Sequence, residues 1–308
     1  MNARVLAGFV LVLAAATAGA QAVVQPPSGD TLPPFERPNG MLLRPGSFVY
    51  QLSLRQDTVV RDLGTRAVDV TEASLGGQPG WLVAESRVGT VVPTSDSLYL
   101  SRADLSPTRW IGAIGSARLA VSFTRDTMFG AMQSYQGRAS FITDVPPGAL
   151  LTAGMVDRIV ELLPLQAGYR TGASLVLIEL GTPRAVPAVI AVEREESVVL
   201  ADKSVDCWVV RLTAGALEER LWVSKDSPRV VKTEQATATG VLTALLRPIQ
   251  VVPEQPVAAF GNLPPGEPLI IPGSPPIYLP PDTFAPVQFP TSAPPRVPPP
   301  VRPPVRPH

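Results

Sequence analysis

PPGALLTAGMVDRIVELLPL, residues 146–165, is the stretch on which the fold turns. Leu151, Met155, Ile159 and Leu163 recur at every fourth position, with Val156 and Val160 beside them. That period is the apolar stripe of an amphipathic helix. Pro146 and Pro147 suit a first turn and Pro164 stops the element, so the helix is predicted over about 149–163. Asp157, Arg158 and Glu161 are assigned to its solvent side, where charges usually sit.

Everything around this segment has the two-residue period of strands. In SFVYQLSLR, Phe48, Tyr50, Leu52 and Leu54 share one face, with Gln51, Ser53 and Arg55 on the other. TRAVDVTEASL and GWLVAESRVGTVV follow, separated by the turn formers at 76–80. DSLYLSR sets Leu98 and Leu100 opposite Tyr99, and RWIGAIG, RLAVSF and TMFGAMQSY continue the series. DCWVVRL, EERLWVS and RVVKTEQ read as a meander with turns at Ala214-Gly215 and Asp226-Ser227-Pro228. A helix with a broad apolar stripe inside a run of antiparallel strands needs a surface to bury against. The economical arrangement is a curved antiparallel sheet, or half-barrel, with the helix on its concave side. The fold class is therefore all-β dominated, with one packed helix.

The flanks read differently. Residues 1–22 have a basic n-region at Arg4, an apolar run from Val5 to Ala16, and small-residue cleavage options after Ala20 or Ala22. No cysteine follows either site for lipid attachment, and the apolar run is short for a span. The reading is an export signal, a periplasmic or secreted destination, and no transmembrane anchor after cleavage. Residues 23–45 form a proline-rich leader, 46–247 the half-barrel domain, and 248–308 a proline-rich tail with the composition of a disordered segment. The tail carries Arg296, Arg302 and Arg306 near its end and suits an extended spacer, or a docking peptide for an envelope protein or polymer.

Composition removes whole classes of chemistry. Of 308 residues, 26 are basic and 26 acidic, a balance that offers no field for nucleic acid. The single histidine is His308 and the single cysteine is Cys207, in an apolar strand-like run. No serine–histidine triad, cysteine–histidine dyad or histidine-ligated metal is available, and no cofactor motif is present. Asp157 and Glu161, four residues apart on the helix, are the paired carboxylates that a histidine-free enzyme would need.

The segment LYLSRADLSPTRW, the helix end VELLPLQAGY and the DCWVVRL–EERLWVSKDSPRVVKTEQ meander carry a resemblance. Over about Gly46 to Leu246 the chain resembles a secreted bacterial domain-of-unknown-function family with the half-barrel of the lipoprotein carriers LolA and LolB. The resemblance implies a hydrophobic cavity and carries no catalytic motif. Trp81, Trp110, Phe123, Phe129, Met155 and Ile159 are the residues that would line such a cavity and hold a lipid or other apolar molecule. The same side chains serve equally in a filled core. Three functions follow from this reading: a non-catalytic exported carrier of a hydrophobic ligand, an envelope scaffold using its sheet surface and tail, and a carboxylate-only enzyme.

Overall fold

The computed structural model describes residues 32–247, apart from 90–92, 136, 147, 152–154 and 180–181. The predicted export signal, the first part of the leader and the proline-rich tail lie outside the described residues.

Alternation of apolar and polar residues builds the first half of the sheet as a meander. Its strands are β1 (Gly46–Gln56), β2 (Val59–Leu75), β3 (Gln78–Val88), β4 (Thr94–Ser101), β5 (Pro107–Ile114), β6 (Ala117–Phe123), β7 (Thr127–Ser134) and β8 (Gly137–Asp144). After the short β9 (Leu150–Leu151) and helix α1 (Met155–Val160), a second meander follows: β10 (Arg170–Glu179), β11 (Thr182–Leu200), β12 (Lys203–Ala214), β13 (Leu217–Ser224), β14 (Val230–Thr237) and β15 (Gly240–Leu246). The two meanders join where β1 pairs antiparallel with β15, Leu52 opposite Ala244. All fifteen strands thus form one sheet, running from β8 at one edge through β1 and β15 to β9 at the other, and it does not close. The curved antiparallel sheet with one packed helix is the architecture that the strand and helix periods predict.

The predicted faces hold in β1. Phe48, Tyr50, Leu52 and Leu54 are all buried, and Arg55 is exposed. Leu98 and Leu100 lie on the inner face in the same way. At the β2–β3 turn, Gly76 and Gly77 take φ of +59° and +78°, the left-handed region that glycine enters without steric cost. Strands β10 and β11 are two long elements that open the second meander; their sequence was not among the predicted strands.

The helix departs from its prediction in length and in surroundings. It covers Met155–Val160, and Leu150-Leu151 instead pairs parallel with Leu175 and Val176 of β10. Two leucines that would continue a helical stripe complete a sheet edge, where their backbone groups and side chains are both accommodated. The solvent side assigned to Asp157, Arg158 and Glu161 does not exist. They are 5 %, 1 % and 6 % exposed, so the helix is buried all round. A six-residue helix enclosed by a curled sheet has no outward face to offer.

Part of the leader belongs to the domain. Gly172 N–H and the Thr171 hydroxyl both donate to the Pro33 carbonyl, and Pro34 bridges Gly172 in parallel sense. Arg37 donates to the Leu105 and Ala149 carbonyls, and Asn39 caps a short 3-10 turn at Gly40–Leu42. This segment continues the edge begun by β9, so β10 is covered along much of its length.

Candidate functional site

Inside the curl, charged side chains project from the same strand faces as the core. In β2, Arg66 shares its face with Val68 and Val70; in β3, Glu85 follows Trp81 and Val83 at the same parity. Glu85 sits opposite Asp96 of β4, which precedes the buried Leu98 and Leu100. From the second meander, Glu219 of β13 faces inward beside Leu221. The helix contributes Asp157, Arg158 and Glu161.

These groups form two connected ionic sets. In the first, Arg66 Nη2 lies 2.7 Å from Glu85 Oε2 and 2.8 Å from Asp157 Oδ2, joining β2, β3 and the helix. Arg87 Nε closes on the other Glu85 oxygen at 2.9 Å. In the second, Arg158 Nη2 is 2.9 Å from Glu161 Oε1, which also accepts the Val230 N–H at 2.7 Å. The Arg158 and Arg229 guanidinium groups lie 5.0 and 4.5 Å from the centre of the Phe48 ring. Cations on an aromatic face recover part of the hydration lost on burial. Tyr50 lies between the sets, its ring 5.4 Å from Arg66 and its hydroxyl donating to the Val230 carbonyl at 3.0 Å.

Burial and pairing drive the carboxyl groups apart in acidity. Burial tends to raise Glu85, but Arg66 and Arg87 outweigh it and hold the group at about 2. Desolvation, with Asp157 nearby, pushes the half-buried Glu219 up to about 7. Burial likewise lifts Glu161 to about 7, against the opposing Arg158, and Asp96 to about 6, helped by Glu85. Separated acidities among neighbouring carboxyl groups mark a candidate site, since acid and base roles require that separation. The space beside them is small. A cavity of about 40 Å³ is lined by Arg66, Arg87, Glu219, Thr233, Gln235 and aliphatic neighbours including Leu52. A volume of that order suits about one water rather than an acyl chain.

The six residues expected to line an apolar cavity divide between locations. Trp81, Met155 and Ile159 are at most 2 % exposed and pack in the main core cluster, with half-buried Trp110 and Phe123 against it. Trp81 donates its indole N–H to the Gly40 carbonyl, and Trp110 donates to Asp96 Oδ1 at 3.0 Å. Phe129 is on the other face of the sheet: it pairs laterally with Ser122 and Ile142, whereas the inward residue of its strand is the buried Met128. Cys207 is fully buried, and burial with Asp206 nearby raises its thiol to about 11. Among the described residues no group of three or more His, Cys, Asp or Glu is placed to hold a metal ion. No described helix is long and apolar enough to cross a membrane.

The residues missed were Arg66, Glu85, Asp96 and Glu219. Their signal was available: each falls on the apolar parity of its own strand.

The chain matches no family model, and no curated protein matches it. It is similar in structure to the crystal structure of a beta-barrel-like protein of the domain of unknown function DUF1849 from Brucella abortus, at 9 % identity and a TM-score of 0.41. The match covers 66 % of this chain and 96 % of that one.

Proposed function

We propose that this protein is an exported, non-catalytic module of the cell envelope that works through its outer surface and edge rather than through a ligand chamber. The observation that carries this reading is the packed interior. Met155 and Ile159 of the helix are 0 % exposed, and the cavity lined by Arg66 and Glu219 has a volume of only about 40 Å³. The ionic sets strengthen this reading, because they tie the helix to β2, β3 and β14 and make its displacement by an apolar guest costly. The carboxyl groups have the separated acidities of catalytic pairs but little room for a substrate between them, which supports a structural role. Export rests on the N-terminal sequence pattern.

The test is binding of an apolar fluorescent probe to the mature protein and to Ile159→Trp. A surface module shows no saturable probe binding, and the variant loses stability. Stoichiometric binding that Ile159→Trp abolishes without loss of stability would restore the carrier of a hydrophobic ligand. N-terminal sequencing of protein from fractionated cells tests export, with cleavage after Ala20 or Ala22 expected and an intact Met1 contrary to it.

A further inference from the structure

The cavity of about 40 Å³ lies at the join between the two meanders. From the second meander, Glu219 of β13 stands directly opposite Gln235 of β14, and Thr233 lies opposite Ala244 of β15. From the first, Leu52 of β1 faces Ala244, and Arg66 and Arg87 reach the same space from β2 and β3. The polar groups around this space are incompletely paired. Arg66 engages both of its carboxylates through Nη2, and its Nε is buried without a hydrogen-bond partner. The side chains of Glu219, Thr233 and Gln235 make no hydrogen bond or ion pair with another described residue, although Thr233 is only 6 % exposed. Polar groups withdrawn from bulk water are costly when left unpaired.

We infer that the cavity is a hydration site, with an ordered water held between Arg66, Glu219, Thr233 and Gln235 that ties the two meanders together. Charge selects a neutral occupant. Arg66 and Arg87 are matched by Glu85 and Asp157, so a further ion would stand uncompensated in a largely buried place. Size selects a small one. The volume admits about one water, and the lining offers the two to four polar partners that a buried water needs. The water accepts from the Arg66 guanidinium and from the Glu219 carboxyl, which desolvation keeps protonated below about pH 7. It donates to the Thr233 hydroxyl and the Gln235 side-chain carbonyl. Leu52, Leu242 and Ala244 supply the apolar part of the wall, which offers the water no competing partner.

The experiment uses the full mature chain below the pH at which Glu219 ionises. Ala244→Val adds two methyl groups to the cavity wall and displaces the water. Oxygen-17 relaxation dispersion of the solvent, which counts long-lived internal waters, should show about one fewer in the variant. The melting temperature should fall, because the polar lining is left unpaired. A dry cavity gives the reverse: the methyl groups fill a void, the protein melts higher and the dispersion does not change. Water-selective NMR on the unaltered protein is a second readout, independent of whether the variant folds. The methyl protons of Ala244 and Leu52 should cross-relax with water, with the sign of a long-lived bound molecule. An unchanged dispersion, a raised melting temperature, or methyl groups without contact to long-lived water overturns the inference.

Discussion

Arg66 Nη2 stands 2.7 Å from Glu85 and 2.8 Å from Asp157, so one guanidinium fastens helix α1 to the two strands beneath it. Arg66 is 7 % exposed and both carboxylates no more than 5 %. Taking three charged groups out of water is unfavourable by itself, and the pairing offsets that cost. Removing the cation leaves two carboxylates buried together. Arg66→Ala is expected to destabilise the protein by about 3–5 kcal/mol at neutral pH, measured by urea unfolding. The loss should shrink toward pH 4, where a freed Glu85 can protonate.

Stability should depend on pH with a defined sign. Glu161 and Glu219 are raised to about 7 and Asp96 to about 6. The unfolded chain therefore releases these protons at lower pH than the folded chain does. Their contribution is fully present below the ordinary carboxyl range and is lost as pH rises through 6 and 7. Glu85, held at about 2, acts oppositely: its contribution is present above the ordinary range and falls away on acidification. The melting temperature is expected to be highest near pH 5 and to drop by on the order of 5 °C by pH 8. Calorimetric scans across that range check it, and Glu219→Gln should flatten the alkaline side.

The packed helix makes Ile159 intolerant of added volume. Ile159→Trp should cost about 1–3 kcal/mol, read as a lower melting temperature.

Tyr50 spans from β1 to β14 through its hydroxyl, far from its own neighbours in sequence. Tyr50→Phe keeps the ring against Arg66 and removes only the donor to Val230. Chemical denaturation should show a loss of about 1–3 kcal/mol, the cost of a buried carbonyl left unpaired.

Cys207 should be inert in the folded protein, because its thiol is both buried and raised to about 11. Alkylation at pH 8 is expected only after denaturant is added, with the mass shift followed by mass spectrometry.

Alternation along the chain was enough to establish an antiparallel sheet, the inward face of β1 and the presence of a helix between two strand series. These features depend on which side of a pleat or turn each side chain occupies, and that is written locally. Parity also placed Arg66, Glu85, Asp96 and Glu219 on inward faces, although a charged residue on an apolar face was not read as a site. What the sequence could not supply was how the two meanders join into one curved sheet. Pairing of β1 with β15 brings together residues nearly 200 positions apart, and only that curl encloses the helix. Enclosure turned the supposed solvent face of Asp157, Arg158 and Glu161 into the centre of the ionic sets. It also gave Leu150 and Leu151 a strand to pair with instead of a helix to extend. Local periodicity reports which residues share a face; the tertiary structure decides whether that face meets water.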